Sequence, residues 1–562
     1  MSNYPRGSQR TLTLFLLTLL CIFIETAKNQ THSTKNSSAI PYILVSPSSS
    51  LGFQMGYSYP KQRITKTAGG TIYMMWRSRF SGQVYNAIRC DGTDSLIFPR
   101  GSESQSGGTL QRAGSSTVTP GEKHIQIGHQ TLGASLLVTV SNSIAKCSAT
   151  QILDTVCLGP PTFGDPQIHA VNDSLWIAVL NNFDADTAYT SRTIDAGETW
   201  SAPASLIQAQ WLQAGITGHG NLVYAYSASN PAAPDTSLGY EILYNKSTDA
   251  GATWGGQVNA SQDFDNPDFE PFFGPGGPYA IMDAGDTLHI IWSSVNRANP
   301  DAIPGGKINH LAVAPNGTFF GETVIAQIPY SRNAATLRPV PSWPIMSETF
   351  GSASLSLKPG SGQNPPILYA IWVQANANAF GEITDTVAPA GSNSGVVFNP
   401  YPELDIYCAA SSDNGRTWDA AQNITQTRNP GCTDSTPCES EEYAVALSSA
   451  DSLIYILSVV DAYAGAQEMD AQNPGPNTNA NNQVRLYLAP ARTPQSCPAN
   501  KGDINRDGFL TSADVVVFLN CVFLGLGACD LCYSDLNCDT VLTAADVVIE
   551  LNYVFLGVAP PC

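Results

Sequence analysis

Thr193-Ile-Asp195-Ala-Gly197-Glu-Thr199-Trp200 sets a pattern that returns twice, as Ser247-Thr-Asp249-Ala-Gly251-Ala-Thr253-Trp254 and Ser411-Ser-Asp413-Asn-Gly415-Arg-Thr417-Trp418. The shared form is S/T-x-D-x-G-x-T-W. The second copy starts 54 residues after the first (247 − 193), and the third 164 after the second (411 − 247), about three such periods. Val313-Ala-Pro-Asn316-Gly317-Thr318-Phe319 reads as a decayed copy in the gap. Periods of this size mark repeat architectures. The residue types carry a turn mechanism. The Asp carboxylate accepts backbone N–H groups across a tight turn, and the Gly supplies a positive φ. The Trp then packs between neighbouring elements. Short apolar or alternating runs bounded by turn residues flank the copies, among them Ser174–Leu180, Thr287–Trp292, Ile367–Val373 and Ser452–Leu457. Residues 28–490 hold about six or seven such groups. The expected fold is mainly β, a six- or seven-bladed β-propeller of four-stranded blades.

The three segments resemble Asp-boxes, the bacterial neuraminidase repeat of sialidases and related propellers. The resemblance implies that Asp195, Asp249 and Asp413 are structural, because Asp-boxes sit on blade hairpins away from the active centre. A sialidase also needs an arginine triad, a Tyr–Glu pair and an acid/base Asp, marked early in the chain by Arg-Ile-Pro. Arg63-Ile64-Thr65 lacks the Pro, and Leu337-Arg338-Pro339 comes too late. Enzymatic activity is therefore left open by the sequence.

Other glycoside chemistry needs two carboxylates facing one cleft. Propeller ligands gather where the innermost strands begin, at the mouth of the central channel. Gly164-Asp165-Pro166, Gly218-His219-Gly220, Asp268-Phe-Glu270-Pro271 and Glu441-Glu442-Tyr443 are the candidate segments. Converging, Asp165, Glu270, Glu441 and Glu442 would form an acidic ring with His219 and Tyr443. Glu441 and Tyr443 would share a strand face by two-residue alternation. The alternative is a set of ordinary solvated carboxylates. Asp263, Asp265, Asp268 and Glu270 could instead hold a cation.

The last sixty residues carry a second repeat. Asp503-Ile-Asn505-Arg-Asp507-Gly508-Phe509-Leu-Thr511-Ser-Ala-Asp514 returns 32 residues later (535 − 503) as Asp535-Leu-Asn537-Cys-Asp539-Thr540-Val541-Leu-Thr543-Ala-Ala-Asp546. Oxygen side chains at loop positions 1, 3, 5, 9 and 12 suit a hard cation. The first Ca2+ site would use Asp503, Asn505, Asp507, Thr511, Asp514 and the Phe509 carbonyl. The second would use Asp535, Asn537, Asp539, Thr543, Asp546 and the Val541 carbonyl, with Thr540 where Gly normally makes the sharp turn. Each loop runs into a similar apolar helix. Thr511 and Thr543 read as helix starts, and Gly525 and Gly557 as stops.

This duplication resembles a type I dockerin, a small α-helical module of paired EF-hand-like loops. The resemblance implies calcium-dependent docking to a cohesin-type receptor or surface scaffold in extracellular polysaccharide breakdown. It therefore implies an extracellular or surface-attached chain that acts on or binds glycans. A glycoside hydrolase of exo-sialidase-like build with diverged catalytic residues, and a non-catalytic adhesion protein, are the alternatives.

The expected organisation is a signal peptide over 1–27, the propeller over 28–488, a linker over 489–500 and the calcium module over 501–562. Arg6 and Arg10 precede an apolar run over 12–24, too short for a confident membrane span. Without Cys21, six cysteines fall in the large region and six in the tail, and even counts suggest disulfides within each. A net charge of −19 argues against nucleic acid and anionic membrane surfaces as partners. Peptidase, lipase and nucleotide-binding motifs are absent from the sequence.

Overall fold

The structure is a computed structural model. It describes residues 40–49, 63–77, 84–89, 96–97, 110–130, 136–141, 152–158, 163–182, 187–207, 212–216, 222–229, 240–261, 269–271, 278–296, 303–330, 350–361, 366–377, 386–387, 401–402, 404–427, 439–461, 482–494, 501–505, 509–524, 531–537 and 542–560. Before the tail these residues form antiparallel strands. Six sheets of four strands and one of five follow one another along the chain, with one two-stranded ribbon besides. In chain order the first sheet spans 64–97, the second 110–158, the third 163–207 and the fourth 212–259. The fifth spans 269–327, the sixth 350–423 and the seventh 440–490. The arrangement is that of a mainly β propeller.

Each sheet is a meander whose first strand packs on the neighbouring sheet. Apolar side chains on both faces drive this, since a single sheet can cover neither face by itself. The strand Ile367–Ala375 in the sixth sheet is buried at all nine positions. Trp176, Trp292 and Trp372 fill second strands of the third, fifth and sixth sheets without exposure.

Every seam between sheets has its own contact. Tyr73 of the first sheet stacks on His124 of the second at 4.2 Å, and Gly69 N–H donates to Glu122 Oε1 at 3.0 Å. Ile125 and Ile127 meet Ile168 and Trp176 between the second and third. Val179 and Ala188 meet Tyr226 and Leu243 between the third and fourth. Ile242 and Val223 meet Ile290 and Trp292 at the next seam. One large cluster joins Ile291, Trp372 and Ile456 across the fifth, sixth and seventh sheets.

The chain's early strand Tyr42–Ser49 pairs with Asn482–Pro490 and completes the seventh sheet. Its Ile43 and Val45 then join Met74 of the first sheet and Leu457 of the seventh in one apolar cluster. A Lys66–Asp451 ion pair, with Lys66 also 4.9 Å from the Tyr455 ring, reinforces that last seam.

The three Asp turns have one geometry. In each, Asp Oδ1 accepts the backbone N–H of the Thr four residues on, at 2.8–2.9 Å, and Oδ2 accepts that Thr's hydroxyl. The leading Ser or Thr hydroxyl accepts the Gly N–H at 2.8–2.9 Å. Ala196, Ala250 and Asn414 share positive φ of 60, 54 and 64, each followed by a Gly at 94, 76 and 78. Hydrogen bonds to the charged form hold Asp195 and Asp249 down to about 2. All three turns join the third and fourth strands of their sheets. The Asn316 turn occupies the same place in the fifth sheet, with Asn316 Oδ1 accepting Thr318 N–H at 3.0 Å.

Three expectations change. Only the fifth sheet separates the second and third Asp turns, so that interval holds two sheet-to-sheet steps rather than three. Longer connections stretch it, one of them carrying the ribbon Thr386–Val387 with Tyr401–Pro402. The propeller cysteines do not all pair: Cys408 is a buried free thiol, pushed up to about 12 by its burial. The proposed linker starts too early, because the last strand runs to Pro490 and Arg492 is anchored beyond it. Arg492 is ion-paired to Asp419, and its carbonyl accepts the Tyr369 hydroxyl at 2.7 Å.

Gly415 and Gly317 make a paired test. Both have positive φ, so Ala at either costs about 1–2 kcal/mol. At Gly415 the added methyl would also lie 2.0 Å from His310 Cε1, whereas at Gly317 none of the described residues lies within 4 Å. Gly415→Ala is expected to lower Tm clearly more than Gly317→Ala in thermal melts. Equal losses would refute the docking of this turn on His310.

Candidate functional site

The innermost strands carry a shared irregularity. In the second, third, sixth and seventh sheets the register slips near the start of the first strand, at 113–116, 164–167, 351–354 and 442–445. Asp165 falls in the slip of the third sheet and Tyr443 in that of the seventh. Bulges of this kind re-aim side chains and recur beside functional sites. Glu270 lies in Phe269–Pro271, paired with Val295 at the start of the fifth sheet. The backbone thus places three of the four candidate segments at equivalent strand starts. The side chains of Asp165, Glu270, Glu442 and Tyr443 lie outside the described residues, as do His219, Asp263, Asp265 and Asp268.

Glu441 departs from the expected ring. It is fully buried, turned into the seam between the sixth and seventh sheets. Tyr487 OH donates to its Oε1 at 2.7 Å, and Thr427 Oγ1 lies 2.7 Å from its Oε2. The Thr427 hydroxyl also lies 2.8 Å from Asp405 Oδ1 and 3.0 Å from the Glu439 carbonyl. One hydroxyl proton cannot serve three acceptors. A proton kept on Glu441 supplies the missing donor. Burial, then the neighbouring Asp405 charge, push Glu441 up to about 8.

Asp405 also accepts Asn423 Nδ2 at 2.7 Å and Thr427 N–H at 2.8 Å. Arg485 completes the cluster, 3.1 Å from Glu439 and 4.2 Å from the Tyr42 ring centre. Three carboxyl groups, those of Asp405, Glu439 and Glu441, are therefore gathered with Tyr487 and Arg485 in one seam. The sequence reading missed Asp405, Thr427, Arg485 and Tyr487, because no spacing links residues up to 82 positions apart (487 − 405). Only the strand-start placement of Glu441 pointed there.

The tail forms helices α1 (Ser512–Leu524), α2 (Leu531–Ser534) and α3 (Ala544–Leu556) around Ile504, Phe518, Leu536 and Val547. Asp514 and Asp546, at loop position 12, are fully buried. Asp514 accepts Asn505 N–H at 3.0 Å and Thr511 N–H at 2.8 Å, and Asp546 accepts Asn537 N–H at 3.2 Å and Thr543 N–H at 2.9 Å. Each loop is thus folded back on its last carboxylate.

Thr543 caps α3 in a reciprocal capping box with Asp546, and Gly557 ends it with φ 68. Asp503 and Asp535 are also buried. Acidic oxygens drawn inward at both ends of each loop fit a hard cation. Asp507, Asp539 and Val541 lie outside the described residues. Among the described residues no group of three or more His, Cys, Asp or Glu forms a ligand set. Cys521 on α1 is in a disulfide. No described helix is long and apolar enough to cross a membrane.

No family model matches the chain, and no curated protein matches it in sequence. Similar solved structures include the polysaccharide lyase Uly1, with TM-score 0.44 and 11% identity over 84% of this chain and 95% of that one. The β-propeller domain of the Trilobed protease from Pyrococcus furiosus has TM-score 0.35 and 8% identity over 72% of this chain and 94% of that one. The Hadza microbial sialidase Hz136 has TM-score 0.32 and 12% identity over 73% of this chain and 74% of that one. No residue role is taken from them.

Glu441 gives a pH test. Its folded pKa is raised, so its stabilising contribution is full below its ordinary value of 4.5 and is lost as pH climbs through about 8. Glu441→Gln stays neutral throughout. Its Tm should be near wild type at pH 4 and higher by about 2–4 °C at pH 8. A variant that loses Tm equally at both pH values would mean that Glu441 is ionised in the seam.

Proposed function

We propose that this chain is an exported, glycan-directed propeller whose seven sheets are seven blades, carried on a calcium-dependent dockerin-like module. The observation that carries the reading is the duplicated acidic loop, each copy closed on a buried Asp at a helix start and joined to a propeller with Asp-box turns. Asp503, Asn505, Asp507, Thr511, Asp514 and the Phe509 carbonyl hold one Ca2+. Asp535, Asn537, Asp539, Thr543, Asp546 and the Val541 carbonyl hold the other.

The helices leave a duplicated apolar surface that fits a protein partner of the cohesin type. Val516 and Val548 are 57% and 55% exposed, and Phe523 and Phe555 are 55% and 62% exposed. These pairs stand one repeat apart on α1 and α3. Exposed aromatic and aliphatic side chains clustered on a small module mark an interaction surface.

The propeller binds glycan rather than cleaving it with Glu441. A carboxyl sealed in a seam reaches no substrate, so Glu441 leaves the list of catalytic candidates. Asp165, Glu270, Glu442 and Tyr443 remain at the strand starts as ligand contacts, and as catalysts in the alternative hydrolase reading. The full chain is to be assayed for binding and sugar release on sialylated, neutral and uronic-acid glycans. Binding without release is expected, and release from any class would turn the reading to hydrolase.

Calcium at about a hundred times its Kd should stabilise the module by roughly 2.7 kcal/mol. The gain should shrink in Asp503→Asn and vanish in the Asp503→Asn, Asp535→Asn double variant. Titration calorimetry of the full chain reads the number of sites, and an unchanged melt on adding calcium would refute the calcium reading.

A further inference from the structure

Glu550 lies on α3 in the second repeat, 32 residues after Phe518 on α1 in the first (550 − 518). Both are fully buried. Phe518 fills the module's core, and Glu550 puts a carboxylate at the matching place. Neither Glu550 oxygen has a hydrogen-bond partner among the described residues. The carboxylate lies over the α-carbon of Gly502, where a Cβ would come 2.7 Å from Oε2 and 3.3 Å from Oε1. Gly502 immediately precedes Asp503, the first residue of the first loop. The charge that Glu550 feels is that of Asp514, the loop's last residue. Lys501 donates to the Asp535 carbonyl at 2.9 Å.

A buried carboxylate without a partner is strongly destabilising, and a second carboxylate beside it adds repulsion. A divalent cation in the first loop reverses that sign, because both carboxylates then face a larger opposite charge. We propose that Glu550 couples the two repeats through the first-loop cation: the second repeat's helix packs stably only when the first loop is filled. Glu550 acts here as a positioning residue, not as one of the loop's ligands. The geometry makes the first site dependent on the whole module rather than on its own loop. Glu550 would strengthen cation binding in the first loop while it weakens the cation-free module. The inference rests on the calcium reading above.

The test uses the full chain as wild type, Glu550→Gln and Glu550→Leu, each also carrying Asp535→Asn so that calorimetry reports the first loop alone. Glu550→Gln is expected to weaken first-loop calcium binding by about tenfold, the scale of one removed neighbouring charge. It should also raise the melting temperature of the module in chelator. Glu550→Leu should show the same loss of affinity, because the charge and not the shape is responsible. With Asp503→Asn in place of Asp535→Asn the first loop stays empty, and second-loop affinity should rise rather than fall in both variants, because the helix that carries Asp546 loses its unpaired charge. Unchanged first-loop affinity in both variants, with calcium still binding, would overturn the coupling and leave Glu550 a protonated filler. Absence of calcium binding in the wild type would overturn the calcium reading and this inference together.

Discussion

The constraint on which the propeller depends is that a four-stranded sheet has two apolar faces and no means of covering either. Each sheet must be flanked on both sides, and only a closed ring flanks all of them. Closure falls on one strand. Tyr42–Ser49 completes the last sheet and lends Ile43 and Val45 to the cluster shared with the first. The same strand reaches the polar seam. Tyr42 lies under the Arg485 guanidinium, Arg485 holds Glu439, and Tyr487 beside it donates to Glu441. Ring closure and the buried acid are thus neighbours in one set of contacts, and loosening the first would wet the second.

The repeats made the fold legible. Three Asp turns announced strand pairs because the turn's hydrogen bonds are all local, within five residues, and local chemistry survives in sequence. The decayed Asn316 copy was legible for the same reason. What was misread was distance along the chain. The interval before Ser411 looked like three periods because insertion length is invisible to periodicity. Cysteine parity failed at Cys408, a small apolar side chain in the core of Leu404–Ser411 that answers to packing and not to pairing. The site was half legible: strand starts could be placed from turn signals, but whether a strand-start carboxylate faces the channel or a seam depends on register slips that one residue decides.

Acidic residues therefore meet three fates here, and the net charge of −19 averages over them. In the Asp turns each carboxylate is surrounded by donors and stays ionised far below neutrality. In the seam Glu441 accepts a single tyrosine hydroxyl, and burial beside the Asp405 charge pushes it up to about 8. In the tail Glu550 has no hydrogen-bond partner among the described residues. The number of donors within reach, and not the residue type, separates structural anchors from groups that respond to protons or cations.

Topology explains why the clearest motif is silent about the ligand. In an antiparallel meander the first–second and third–fourth hairpins share one end of the sheet. The second–third connection and the start of the first strand share the other. The Asp turns are third–fourth hairpins, while Asp165, Glu270 and Tyr443 stand at first-strand starts. The repeat that fixes the blades thus lies at the opposite end from the candidate ligand surface. The strand ends at Gln327, Phe350, Asp461 and Asn482 also fall on the candidate side. Function is free to vary there because the ring is secured from the far end. A propeller of this build can change its ligand without touching a single Asp turn, so identifying the ligand requires the strand-start side chains and not the repeat.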